Sequence, residues 1–126
     1  MAELRSLEER PVFRLFHVGV NAASAAEAAE AARLLSALFG FTIRDTDISV
    51  YGGEAVEIMK GCGRGSRGHI AFATPDMGRA VAFLRARGVE IVPETMKTDS
   101  QGRYGAVYLR QEVCGFAIHL VEQPKK

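Results

Sequence analysis

The sequence predicts an α+β fold built from two tandem βαβββ modules, and three observations predict it. First, FHVGVN at 16–21 resembles GHIAFA at 68–73, each a short strand with histidine in second position. Second, each of these strands runs into a capped, helix-periodic segment that stops at a glycine. Third, each helix is followed by three short segments with alternating apolar side chains. The modules span 13–60 and 68–122, joined by a linker at 61–67, with an arm at 1–12 and a tail at 123–126.

Taken in order, the first helix is signalled by Ser24 and Glu27, an S-x-x-E capping box. Its body, AAEAAEAARLLSALF, carries an apolar stripe at Ala28, Ala31, Leu35 and Leu38 and ends at Gly40. FTIRD at 41–45 follows, then ISVYG at 48–52 and EAVEIMK at 54–60, read as an antiparallel pair. In the second module Thr74-Pro75-Asp76 opens a helix with proline in its first turn and a stripe at Met77, Ala80, Val81 and Leu84, ending at Gly88. VEIVPE at 89–94 matches FTIRD, and GAVYLRQ at 105–111 with GFAIHLVE at 115–122 matches the earlier strand pair. MKTDSQGRY at 96–104 reads as an extra polar loop, either a plain surface loop or a lid carrying Lys97, Asp99, Arg103 and Tyr104.

Composition narrows the function classes. At 126 residues, 48% hydrophobic and 25% charged, the chain suits one soluble globular domain. Sixteen basic residues against fifteen acidic leave a net charge of +1, so no global field draws in nucleic acid or an anionic membrane. No apolar run reaches the length of a membrane span. MAELRSLEERP at the start lacks a signal-peptide core, and a cytoplasmic protein is expected. Cys62 and Cys114 are too few for a disulfide framework; two free thiols are expected, with a single bridge as the alternative.

Strand alternation then sorts the side chains. Phe16, Val18 and Val20 oppose His17 and Gly19; Val56 and Ile58 oppose Ala55, Glu57 and Met59. Ile70 and Phe72 oppose His69, Ala71 and Ala73; Phe116, Ile118 and Leu120 oppose Ala117, His119 and Val121. Ser49 and Tyr51 share a face, as do Tyr108 and Arg110. The bulky faces belong under the helices. The other faces carry one polar residue each among small neighbours, which leaves space for a concave site.

All three histidines of the chain, His17, His69 and His119, fall on these polar faces, and Glu57 stands where His119 does in the repeat. A single histidine on an apolar strand is ordinarily a core residue bonded to a carbonyl. Three in register with a carboxylate point instead to a shared divalent metal, Zn, Ni, Fe or Mn. An unpaired Glu57 buried on such a face would cost several kcal/mol, which favours a cationic partner beside it. The linker GCGRGSRG at 61–68 fits no phosphate-loop spacing and reads as a connection, with Arg64 or Arg67 as weaker anion contacts.

A doubled βαβββ unit with one ligand on the first and last strand of each copy resembles the vicinal oxygen chelate superfamily of glyoxalases, extradiol dioxygenases, methylmalonyl-CoA epimerase and bleomycin-resistance proteins. The resemblance covers residues 13–122. It implies a glyoxalase/dioxygenase-like, cupped mixed sheet and a homodimer. Its ligand pattern of His, Glu, His, Glu falls on His17, Glu57, His69 and His119, the last a departure from the usual Glu. EAVEIMKGCGRGSRGHIAFAT and VYLRQEVCGFAIHLVE are similar to a small domain appended to some keto-deoxyphosphogluconate/keto-hydroxyglutarate aldolases. The chain lacks the length and pattern of the (β/α)₈ aldolase itself.

The resulting expectation is a metal-dependent lyase or isomerase acting on a small α-keto or hydroxy (sugar) acid through an enolate. Glu57, with His119, would move the proton, and Tyr51, Met59, Tyr108 and Arg110 would contact the substrate. The alternatives are a non-catalytic small-molecule binding module of the bleomycin-resistance type and an accessory domain of an aldolase.

Overall fold

The computed structural model describes residues 9–61, 63–98 and 104–123. The first module comprises β1 (Arg14–Asn21), α1 (Ala25–Phe39), β2 (Ile43–Asp45), β3 (Ser49–Gly52) and β4 (Val56–Met59). The second comprises β5 (Gly68–Thr74), α2 (Met77–Arg85), β6 (Ile91–Thr98), β7 (Tyr104–Val113) and β8 (Phe116–Glu122). Each module is therefore strand–helix–strand–strand–strand, as the repeat requires.

The caps explain where the helices begin. Ser24 Oγ accepts from the Glu27 amide at 3.1 Å, and Glu27 Oε1 accepts from the Ala23 amide at 2.8 Å. Gly40 closes α1 in the left-handed conformation, with φ of 73°. In α2 the cap is Asp76, which accepts from the Arg79 amide at 3.1 Å. Pro75 thus precedes the cap instead of occupying the first turn, a correction to the sequence expectation. The helix itself ends at Arg85, three residues before Gly88.

All eight strands join one mixed sheet in the order β2-β3-β4-β1-β5-β8-β7-β6. β1 runs parallel to β4, and β5 runs parallel to β8. The modules meet where β1 pairs antiparallel with β5. That joint sets Gly19 opposite His69 and His17 opposite Ala71. A local twofold therefore exchanges His17 with His69 and Gly19 with Ala71.

Two apolar clusters hold the helices to the sheet. Ala22, Ala28, Ala32, Val50 and Ile58 pack under α1, and Met77, Val81, Ile91, Val107 and Leu120 under α2. The buried stripe of α1 is thus Ala28 and Ala32, flanked by Ala31 and Leu35. Leu38, expected in the stripe, is 61% exposed in the last turn; β3 and β4 beneath the helix have only four residues each.

The expected loop at 96–104 is shorter. β6 continues to Thr98 and β7 starts at Tyr104, leaving 99–103 outside the described residues. Cys114 is an exposed free thiol, while Cys62 lies outside the described residues. No helix among the described residues is long and apolar enough to cross a membrane.

Gly19 is where the joint is tightest. A Cβ added there would fall inside the His69 imidazole. Gly19→Ala is expected to cost about 2 kcal/mol or more, because the ring has to leave its place. Gly61→Ala, whose Cβ would meet nothing within 4 Å, should leave the melting temperature unchanged. Thermal denaturation of the two variants side by side checks this.

Candidate metal centre

Cross-strand register draws the site as two rows. One runs Arg44, Tyr51, Glu57, Gly19, His69 across β2, β3, β4, β1 and β5. The other runs Val92, Tyr108, His119, Ala71, His17 across β6, β7, β8, β5 and β1. The twofold maps one row on the other, so Glu57 matches His119 and Tyr51 matches Tyr108. Gly19 and Ala71 are the small residues over which the imidazoles lean.

At the centre three ligand-type atoms converge. His17 Nε2 lies 3.1 Å from His69 Nε2, and Glu57 Oε1 lies 3.3 and 3.2 Å from these two nitrogens. All three residues are buried. Whichever tautomer each ring takes, two imidazole nitrogens and an anionic oxygen face one point. Ligands sharing one ion at bond lengths near 2.1 Å sit about 3.0–3.4 Å apart. The observed spacings fall in that range, so His17, Glu57 and His69 fit a divalent cation.

Glu57 is fixed from behind. Ser49 Oγ, fully buried, donates to Glu57 Oε2 at 2.7 Å, and Ser49 is itself bonded to Thr46 Oγ1 at 3.0 Å. Burial alone would raise the Glu57 carboxyl. Hydrogen bonds from His17, His69 and Ser49 outweigh it and hold the group well below the usual carboxylate range. A carboxylate held by this many donors keeps its charge at neutral pH, as a metal ligand must.

His119 stands beside this set. The ligand atoms of His17, His69 and His119 lie within 4.8 Å of one another, a looser spacing than inside the triad. His119 stacks on Tyr108 with ring centres 4.2 Å apart and planes 8° from parallel. Burial, then the neighbouring His69 and His17, push its pKa down to about 4, so the ring is neutral at pH 7. Its Nδ1 is buried with no hydrogen-bond partner among the described residues, as is that of His69. Burial raises the Tyr108 phenol to about 12, keeping it a hydrogen-bond donor.

The remaining expected residues divide. Tyr51 stands edge-on to His17, ring centres 6.1 Å apart. Burial and then the Glu57 carboxylate raise its phenol. Met59 is buried beyond Glu57 at the strand end, against Gly63. Arg110 does not join the site. β7 pairing is irregular between Tyr108 and Glu112, and Arg110 turns to solvent, its side chain 60% exposed and 2.7 Å from Glu90.

Three residues enter that the sequence left without a role. Ser49 was on the polar face and lacked only its partner. Arg44 lies 4.1 Å above the Tyr51 ring; alternation within FTIRD and pairing with Tyr51 would have found it. Phe16 lines the cleft with His17, although alternation sends it to the other face, because β1 bulges between Leu15 and His17. Arg64 of the linker reaches the rim, 5.5 Å from the Tyr108 ring.

The structure superposes on methylmalonyl-CoA epimerase of Streptomyces coelicolor in complex with 2-nitronate-propionyl-CoA. The TM-score is 0.64 at 19% identity, over 89% of this chain and 98% of that one. Methylmalonyl-CoA epimerase from Mycobacterium tuberculosis gives 0.61 at 20% identity, over 89% and 88%. Homoprotocatechuate 2,3-dioxygenase from Brevibacterium fuscum gives 0.63 at 14% identity, over 92% of this chain and 34% of that one.

The chain has the vicinal oxygen chelate fold. At these identities the likeness speaks for architecture. No protein-family model matches the sequence, and no curated protein does either. Within the vicinal oxygen chelate fold, this chain places its four central polar residues on paired strands of both modules.

Two predictions follow from the electrostatics. Ser49→Ala removes a buried hydrogen bond to a charged group and is expected to cost about 1.5–3 kcal/mol in urea denaturation. In the metal-free protein, Glu57 stabilises the fold above its ordinary value of 4.5 and loses that contribution as pH falls. His119, lowered from 6.5 to about 4, resists protonation in the fold, so stability also falls as pH drops from 6.5 toward 4. Chelator-treated protein should therefore show a urea midpoint that falls from neutral pH downward, with His119→Gln flattening the upper part of the fall.

Proposed function

We propose that this chain is a metal-dependent enzyme of the lyase or isomerase type, acting in the cytoplasm on a small α-keto or α-hydroxy acid by moving a proton next to a carbonyl. The carrying observation is the convergence of His17 Nε2, His69 Nε2 and Glu57 Oε1 within 3.3 Å of one another. These three residues would hold a divalent cation, Zn, Ni, Fe or Mn, with His119 at its open side. Such a cation supplies Lewis-acid stabilisation of negative charge developing on vicinal substrate oxygens.

The chain's own residues supply the rest. His119, neutral and with an unpartnered Nδ1, takes and returns the proton. Tyr108, stacked on it, fixes the ring plane and keeps its own phenol protonated. Tyr51, on the opposite side, donates to a substrate oxygen and closes the wall beside His17. Ser49 holds Glu57 in its ligand pose. Buried Ala71, Ala73 and Ala117 leave room beside these side chains.

The homodimer belongs to this proposal: Leu34 and Leu38 stand 57% and 61% exposed on α1, apolar area suited to a second copy. A role beside a keto-deoxyphosphogluconate aldolase rests on the sequence resemblance alone. One observation favours a second reading, a non-catalytic binding module: the cleft beside His17 is walled by Phe16 and Phe41.

Elemental analysis of protein purified without chelator separates the two. Near-stoichiometric divalent metal is expected, falling at least tenfold in His69→Ala. Deuterium exchange next to the carbonyl of a panel of α-keto acids should depend on that metal. In His119→Gln it should drop about a hundredfold with the metal content largely kept. Protein that takes up no metal even on reconstitution would sink the enzyme reading and leave the binding module.

A further inference from the structure

The two rows of the site are not equal at their outer ends. In the second module the row ends on Val92, which is 5% exposed and packed in the interior. In the first it ends on Arg44, an exposed cation. The twofold that governs the centre is broken at these row ends, where only the first module carries a cation in the sheet itself; on the other side Arg64 reaches Tyr108 from the linker.

Arg44 is also preorganised. Its guanidinium carbon lies 4.1 Å above the Tyr51 ring, a cation–π contact, and it also hydrogen-bonds the Tyr51 side chain; a guanidinium has five N–H donors, so others remain for a ligand. Arg44 has no ion-pair partner among the described residues, in contrast with Arg110, which is paired with Glu90, and Lys60, paired with Asp45. Tyr51 in turn stands edge-on to His17 at 6.1 Å. Two ring contacts thus connect the guanidinium to the cluster.

Between them opens a cleft of about 760 Å³. Its walls include Phe16, Phe41, Tyr51, His17 and Arg44, with Glu54 on the same lining. This volume is that of a site for a small organic ligand, apolar in its body and cationic at one place. Glu54 shares the lining and Glu57 lies behind Tyr51, so a second negative charge on the ligand is disfavoured at this end.

We propose that this cleft is an acid-binding subsite in which Arg44 anchors a single carboxylate and Phe16 and Phe41 enclose an apolar, flat or branched body. Resting on the enzyme reading above, it gives the substrate a direction. Its vicinal oxygens, the keto or hydroxy oxygen and the carboxylate beside it, face His17, His69 and Glu57, and a second, remote carboxylate reaches the edge strand β2. The substrate class becomes a keto or hydroxy diacid with an apolar middle, in place of the expected sugar acid.

The test uses 4-phenylbutyrate and its neutral amide, 4-phenylbutyramide, as probes in isothermal titration calorimetry on the whole chain. Both are titrated into chelator-treated and zinc-reconstituted protein. The acid is expected to bind about tenfold more tightly than the amide in both preparations, as for one charge-assisted pair. Arg44→Gln should abolish that preference, and Arg110→Gln should retain it. Equal affinities for acid and amide in the wild type would overturn the proposal, as would no saturable binding of the acid, or a preference that survives Arg44→Gln. Failure of the metal reading is told apart, because the acid preference is read in metal-free protein as well.

Discussion

The antiparallel joint between β1 and β5 is the constraint on which the site depends. In an antiparallel pair, residues directly opposite one another approach most closely, and a small partner is needed wherever a large ring lies across the strand. Gly19 opposite His69 and Ala71 opposite His17 meet that condition twice, once in each module. From this joint the register passes outward through the parallel pairs to Glu57 and His119, and then to Tyr51 and Tyr108. A shift of one residue at the joint would set the polar side chains of one module on the face opposite those of the other. The helices and their alanine and methionine packing serve to keep that register in place.

The centre is costly to bury, which makes its composition informative. A carboxylate taken from water is stable only if its lone pairs are met by donors or a cation. Glu57 meets this with Ser49 on one oxygen and two imidazoles on the other. The same two imidazole nitrogens stand 3.1 Å apart; if one neutral ring donates to the other, the accepting nitrogen faces Glu57 Oε1 with no proton between them. A shared cation accounts for both the carboxylate and the imidazole pair, and it does so with the residues already in place. His119, half-buried, stands farther from the triad but within the same histidine cluster, its Nδ1 unbonded among the described residues.

Much of this was legible in the sequence, and the reason is periodicity. A period of two sorts side chains by face without any knowledge of the partner strand. His17, Glu57, His69 and His119 could thus be grouped because the repeat supplied the pairing. What stayed hidden depends on irregular backbone. The bulge between Leu15 and His17 brings Phe16 to the cleft, and the irregular pairing after Tyr108 removes Arg110 from it. Neither leaves a turn residue or proline to announce it. Arg44 was missed for a different reason: β2 has only three residues, all exposed, too short for alternation to stand out against a loop.

Duplicating a module creates a symmetrical centre, yet a reaction on an asymmetric molecule needs a direction. Three departures from the twofold supply it here. Glu57 faces His119, so one side offers a fixed anion and the other a neutral imidazole. Arg44 faces Val92, so at these row ends one strand carries a cation and the other a packed aliphatic side chain. Arg64, from the linker, lies over Tyr108, while its counterpart Tyr51 is covered by a strand residue. Each change leaves the paired registers untouched, because it alters a side chain at a position the sheet already holds. The symmetrical part of the structure therefore brings ligand-type side chains to one point, and the asymmetrical part makes the two sides of that point chemically different.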